Sequence, residues 1–193
     1  MSVRGKSPVV RKGRADAARN RIRLLEAAKA AFAAKGSAAS LEEIATAAGV
    51  GIGTLYRHFP TRDELIEAVY RNETEQLAEA ASRLAQKHPP LKALREWLLV
   101  FVDYMEAKHG MSEVMNSLVG GPSHLYAASG VQTKNAIAML ADNAVSSGDI
   151  RLPIDPLDLL RALAGVATLG APTDRRAAKR LVDILIAGIS TRK

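Results

Sequence analysis

The sequence predicts an all-α protein: a small N-terminal helix-turn-helix unit, a long connecting helix and a larger C-terminal bundle, about nine helices in all. Three observations support this. Ala, Leu, Glu, Arg and Lys dominate, aromatic residues make up 4%, and no segment keeps the alternation of a strand. Gly and Pro fall between the apolar stretches, at Gly36, Gly49, Pro60, Pro89, Pro90 and Gly148, where they punctuate helices. Ser40 with Glu43, and Thr61 with Glu64, have the spacing of capping boxes.

The elements follow in order. A first helix is expected from about Asp16 to Lys35, with Ile22, Leu25, Ala28 and Phe32 on one face and Gly36 as its stop. "SLEEIATAAG" starts at the cap Ser40 and ends at Gly49, placed for a left-handed C-terminal residue. A short helix covers about Ile52 to Phe59, and Pro60 ends it. "TRDE" restarts the chain as a helix of about 25 residues, reaching "HPP" at His88 to Pro90 and carrying Leu65, Ile66, Val69, Tyr70, Leu77 and Leu84. Further helices follow in "LKALREWLLVFVDYMEAKHG", "SEVMNSLVGG", "TKNAIAMLADNAVSSG", "DPLDLLRALAGVATLG" and "TDRRAAKRLVDILIAGI". The resulting division is a basic arm at 1–15, expected to be disordered, a helix-turn-helix unit at 16–60, and a connecting helix with the C-terminal bundle at 61–193.

Charge is placed unevenly. The net +7 resides in residues 1–23, where Arg4, Lys6, Arg11, Lys12, Arg14, Arg19, Arg21 and Arg23 face the single acid Asp16. A basic segment beside a groove-reading motif is suited to binding phosphates with release of counterions. The chain has no cysteine, so disulfides and thiolate metal sites are excluded. No apolar run approaches the roughly 20 residues of a membrane span, and the N-terminus lacks a signal-peptide pattern, so a cytoplasmic protein is expected.

"GVGIGTLYRHFP", Gly49 to Pro60, decides the function class. Its G-x-G-x-G spacing, preceded by helical "LEEIATAA", matches neither a dinucleotide fingerprint nor a P-loop. A helix-turn-helix accounts for each residue. Ile44, Ala45, Ala48, Val50, Leu55 and Phe59 supply the contact between two short helices, and Gly49 supplies the turn. Ile52, Gly53, Thr54, Arg57 and His58, flanked by Tyr56, are left facing outwards, a mix of apolar groups, hydroxyls and donors suited to a groove.

"RNRIRLLEAAKAAFAAKGSAASLEEIATAAGVGIGTLYRHFPTRDELIEAV" resembles the N-terminal domain of the TetR family of bacterial transcriptional regulators, through its "F..KG", "IA..AGV", "GTLYRHF" and "R..L" elements. The resemblance runs from about Arg19 to Val69 and implies a homodimer that binds double-stranded palindromic operator DNA, usually repressing until a small molecule releases it. Carried over by position, Ser40, Tyr56, His58 and Arg62 would contact phosphates. Ile52, Gly53, Thr54 and Arg57 would read bases. Glu42 and Glu43 stand where some relatives have a base-reading basic residue, so they are assigned to capping and to the helix dipole.

In the C-terminal part, Trp97, Phe101, Tyr104 and Met105, with Met111, Met115, Tyr126 and Met139 beyond, are read as either a ligand pocket or plain core. Asp103, Glu106 and His109 are read as solvated, and neither a metal, a cofactor nor a catalytic group is assigned. The last two helices, Asp155–Leu169 and Asp174–Ile189, combine Leu, Ile and Val with Ala162, Ala164, Gly165, Ala167, Ala177 and Gly188. By resemblance they would form a four-helix dimer interface; the other reading is that they close the monomer's own core. The rival to a ligand-released repressor is a helical small-molecule-binding protein or enzyme with an incidental N-terminal hairpin.

Overall fold

The computed structural model describes residues 8–168 and 175–191. The helices are α1 (Pro8–Lys35), α2 (Leu41–Ala47), α3 (Ile52–His58), α4 (Arg62–Lys87), α5 (Pro90–Gly110), α6 (Ser112–Asn116), α7 (Ser123–Ser146), α8 (Pro156–Thr168) and α9 (Arg175–Ile189), with a 3₁₀ turn at Gly36–Ala38. Among the described residues there is no strand, only an isolated antiparallel bridge between Ile150 and Ser190. No helix of the described residues is long and apolar enough to cross a membrane.

Helix α1 begins at Pro8, upstream of the expected start near Asp16. Residues 1–7 of the expected arm, and Leu169 and Asp174 at the edges of the expected interface, lie outside the described residues. The buried face of α1 is also set differently. Leu24, Leu25, Ala28 and Phe32 are buried, whereas Ile22 is 56% exposed. At 3.6 residues per turn Ile22 falls roughly a quarter-turn from the centre of that face, too far round to reach the core.

The chain forms two compact units: Met1–Val69 with Gly110–Gly120, and Tyr70–His109 with Gly121–Lys193. In the first, α1, α2 and α3 and the opening turns of α4 close over Phe32, Ile44, Leu55, Phe59, Leu65, Ile66 and Val69. The boundary lies at Val69 rather than Pro60 because the apolar residues that open α4 are buried in this core. The segment carrying α6 belongs to the same unit. Glu113 accepts from the Ser37 hydroxyl (2.6 Å), and the Val119 N–H donates to Asp63 (3.1 Å). Met111, Val114 and Met115 are buried here.

In the second unit, α5 runs through a core of Leu77, Leu94, Trp97, Leu98, Phe101, Ile137, Leu140, Leu163, Val182 and Ile186. The Trp97 Nε1–H donates to the Leu77 carbonyl at 2.9 Å, so the indole is buried without losing its hydrogen bond. Arg95 joins α5 to α9 by donating to Asp183 at 2.7 Å. The inward residues of α8 and α9, including Leu159, Leu160, Leu163, Ala178, Val182 and Ile186, are buried. Their other sides are not: Ile184 is 66% exposed, Ala187 and Gly188 are exposed beside it, and Ala162 and Gly165 are exposed on α8.

Candidate functional site

The first candidate surface is built on α3. Ser40 caps α2 in extended conformation, its hydroxyl accepting from the Glu43 N–H at 3.1 Å. Glu43 in turn accepts from Lys35 (2.9 Å) and from the Ser40 backbone N–H, which together hold its carboxyl below the usual range. Gly49 ends α2 with φ +65°, its N–H donating to Thr46 O and the Val50 N–H to Ala45 O, both at 3.0 Å. This pair of bonds is a Schellman motif, and the left-handed residue it needs is a glycine. It turns the chain into α3 within a few residues and pairs the Ala45 and Thr46 carbonyls.

Leu55 and Phe59 anchor α3, at 0% and 2% exposure, and the Arg21 guanidinium lies over the Phe59 ring at 4.9 Å. Gly53, Tyr56 and Arg57 are exposed, while Ile52, Thr54 and His58 are half-buried at the edges of the same face. No atom lies within 4 Å of where a Cβ on Gly53 would stand, so the backbone itself is open to a partner. The expected set Ile52, Gly53, Thr54, Tyr56, Arg57 and His58 is thus gathered on one seven-residue helix, with Ser40 capping the helix before it.

Arg62, assigned a phosphate contact by resemblance, opens α4 as expected. Its guanidinium donates to Ala39 O (2.6 Å) and Ser37 O (3.0 Å) and stacks over Phe32 at 5.2 Å. In this conformation it clamps the connection between α1 and α2.

The second candidate is a cavity of about 220 Å³ in the second unit, between Tyr70, Arg71, Thr74 and Glu75 of α4 and His124, Leu125, Ala128, Ser129 and Gln132 of α7. Tyr70 shares a 2.8 Å hydrogen bond with Ser129, and Tyr104 reaches Tyr70 at 3.2 Å. Tyr70 packs edge-on against Tyr126 with ring centroids 5.7 Å apart, and the Lys108 ammonium lies 4.3 Å from the Tyr126 centroid. Burial pushes the Tyr70 phenol well above its ordinary value, so it stays protonated at any physiological pH.

A family profile described as bacterial regulatory proteins, tetR family, matches residues 24–69. A second, described as transcriptional regulator SbtR-like, C-terminal domain, matches residues 89–191, more than half of the chain. A solved TetR transcriptional regulator from Streptomyces coelicolor is 41% identical, with 90% of this chain and 99% of that one covered and a TM-score of 0.81. The chain belongs to the TetR family of bacterial transcriptional regulators. A second solved TetR regulator, from Mycobacterium vanbaalenii, is 31% identical over 92% of this chain and 99% of its own, at a TM-score of 0.74. The HTH-type transcriptional regulator TtgR of Pseudomonas putida is 35% identical over 94 residues; the chain spans about half the length of the curated relatives it matches, 45% in this case. TetR-family regulators are a non-enzymatic class that bind operator DNA and act as dimers with small-molecule effectors.

For this TetR-family chain, none of the six residues expected to line a ligand pocket is among those lining the cavity between α4 and α7. Trp97, Phe101, Tyr104, Met105 and Met139 belong to the core cluster of the second unit or pack against it. Met115 is fully buried in the first unit, because α6 packs there. Tyr104 is joined to the cavity wall by its hydroxyl, which donates to Tyr70 at 3.2 Å. The residues that do line the cavity were legible in one respect: Tyr70 and Thr74, and Arg71 and Glu75, are each four apart on α4 and so repeat along its surface. Ser129 and Leu125 show the same spacing on α7. A stripe of large apolar residues drew attention to α5 instead, where it fills the core.

Proposed function

We propose that this chain is a homodimeric repressor that holds a palindromic operator through α3 and lets go when a small ligand enters the cavity between α4 and α7. The observation that carries the reading is the exposed α3 face, bounded by buried Leu55 and Phe59 and aimed by the Gly49 turn. Ile52 suits a thymine methyl, and Arg57 suits guanine O6 and N7, a pairing worth about 1–3 kcal/mol of discrimination. Gly53 lets the backbone approach the groove. Ser40, Tyr56 and His58 hold phosphates beside it, and the basic segment 1–23 adds counterion release. Arg62 serves by fixing the α1–α2 connection behind Ser40.

Dimerisation is assigned to the outer faces of α8 and α9. The exposed Ile184, with Ala187, Gly188, Ala162 and Gly165, offers an apolar surface whose small residues let helix axes approach closely. Two copies related by a two-fold axis would then present two α3 helices to major grooves about 34–36 Å apart. Ligand control is assigned to α4. Its residues up to Val69 belong to the first unit, and Tyr70, the next residue, is already part of the cavity wall. A coupling of about 1–3 kcal/mol, usual for such systems, corresponds to an operator affinity change of about 5–150-fold.

The test is selection of bound fragments from the source genome, followed by titration of the recovered sequence. Operator affinity should fall steeply between low and moderate salt, and Arg57→Ala should relax sequence preference by about 1–3 kcal/mol at one base pair. Recovery of no palindrome, with binding indifferent to salt, would favour the small-molecule-binding reading without DNA.

A further inference from the structure

Helix α1 reaches α3 from two sides. We infer that Arg21 and Arg23 of α1 are phosphate contacts, one at each end of α3, and that they fix where the reading helix sits in its groove. The inference rests on the reading of α3 as the operator-binding element, and it assigns to two residues the charge that acts within the basic segment.

Residues two apart on a helix leave it about 200° apart, so Arg21 and Arg23 point to nearly opposite sides of α1. Arg21 stands one turn before Leu24 and Leu25, on the continuation of the buried face. The core has ended there, and its guanidinium lies instead over the ring of Phe59, the residue that caps the end of α3, at 4.9 Å. Arg23 leaves on the other side. Its Nη2 donates to Asn20 Oδ1 at 2.6 Å, and its Nη1 stands 3.5 Å from where a Cβ on Gly49 would be, at the turn before α3. The residues of α3, Ile52–His58, span about 10 Å, and the two guanidinium groups bracket that span. Both arginines are exposed.

Their partners set these two apart from other cations of the head. Arg19 forms an ion pair with Asp16, and Lys35 with Glu43 at 2.9 Å. Arg21 meets an aromatic ring and Arg23 a neutral amide, and neither partner cancels a positive charge. Stacking uses the flat face of a guanidinium and leaves the N–H groups around its edge for phosphate oxygens. The ring and the amide also restrain two long side chains before a partner arrives, so less rotamer freedom is lost on binding. DNA phosphate is the occupant this geometry fits. Its charge is complementary, and both positions are continuous with the exposed face of α3, whose groove is bordered on each side by a phosphate strand. Such contacts set register and carry no base preference.

The test is the salt dependence of binding by the full chain, read by fluorescence anisotropy on a labelled mixed-sequence duplex and on the operator recovered by selection. Log affinity falls with log salt by about 0.9 per phosphate neutralised, and each arginine occurs twice in a dimer. Arg21→Gln and Arg23→Gln should therefore each make the slope shallower by about 1.8. Both duplexes should weaken alike, at least about tenfold at low salt, so the preference for operator stays as it was. Arg21→Lys keeps the charge and should retain most of the wild-type slope, which a purely structural stack on Phe59 would not give. Arg19→Gln, whose charge is already paired, should change the slope less than half as much. Unaltered slopes for Arg21→Gln and Arg23→Gln overturn the inference. An equal effect of Arg19→Gln also overturns it, since that would mean diffuse charge in place of two contacts. Arg23 does not stack on Phe59, so Arg23→Gln decides even where Arg21→Gln fails to fold. A wild-type slope near zero removes the operator reading as well; a steep wild-type slope with unaltered variants removes this inference alone.

Discussion

Two glycines four residues apart should respond to alanine in opposite ways. Gly49 has φ +65°, and a side chain there incurs the left-handed penalty of about 1–2 kcal/mol. Steric crowding adds nothing, because an added Cβ would meet only the Arg23 side chain, at 3.5 Å, an ordinary contact. Reduced freedom of the unfolded chain returns about 0.4–1 kcal/mol. The net loss for Gly49→Ala is therefore about 1 kcal/mol. Gly53 sits inside α3 with no positive φ and open space around it, so Gly53→Ala should gain up to about 0.5–1 kcal/mol. The single tryptophan, Trp97, lies in the core of the second unit and does not report on α3. Amide hydrogen exchange at Ile44 and Leu55 does. Protection there should drop about fivefold for Gly49→Ala and rise by a similar factor for Gly53→Ala. Operator affinity should follow a different order: Gly53→Ala, though more stable, should bind at least about tenfold more weakly, because its methyl stands on the face assigned to the groove. Equal protection in both variants would refute the assignment of the turn. Undiminished operator binding by Gly53→Ala would refute the close approach.

Other substitutions test the remaining parts. Arg62→Ala removes two charge-assisted bonds to Ala39 O and Ser37 O and should lower the stability of the first unit by about 1–3 kcal/mol in urea unfolding followed by hydrogen exchange. Arg62→Lys should not restore it, since a point charge cannot span both carbonyls. Ile184→Glu places a charge on the exposed apolar face of α9 and should shift the chain towards monomer in sedimentation, with operator binding lost alongside. Glu113 is held below the usual carboxylate range by the Ser37 hydroxyl and N–H, so it favours the folded head while ionised. That contribution is present above the unfolded pKa and is lost as pH falls through the lower folded value. Glu113→Gln should therefore lower the head's stability at neutral pH and flatten its acid limb, so that variant and wild type converge at low pH, as read by circular dichroism across pH.

Local signals were legible because they depend on neighbours in the chain. Ser40 caps α2 and Thr61 caps α4 as their spacing with Glu43 and Glu64 requires, since a cap is a bond across three residues. Gly49 could be placed for the same reason: a helix that must turn sharply needs a residue free to adopt positive φ. The α3 face followed from periodicity, because Leu55 and Phe59, four apart, fix which side is inward and so which residues are left outside.

Tertiary structure decided whatever depends on which helix meets which. Trp97 and Phe101 have the spacing of a pocket lining as much as of a core, and only packing against Leu77, Ile137 and Val182 makes them core. Met115 reads as a neighbour of the α5 stripe along the chain, yet α6 is tied back to Ser37 through Glu113, so Met115 is buried in the first unit. Arg62 reads as a surface cation at a helix start until its two carbonyl partners, more than twenty residues away, are seen. The cavity is the furthest from the sequence. Its lining residues Tyr70 and Ser129 come from two helices 59 residues apart in sequence and meet through a 2.8 Å hydrogen bond. The sequence by itself determined the helices, their caps and the exposed face of α3, because those rest on contacts within a few residues. The burial of the α5 stripe, the place of α6 and the cavity between α4 and α7 were decided by long-range packing, which no local pattern records.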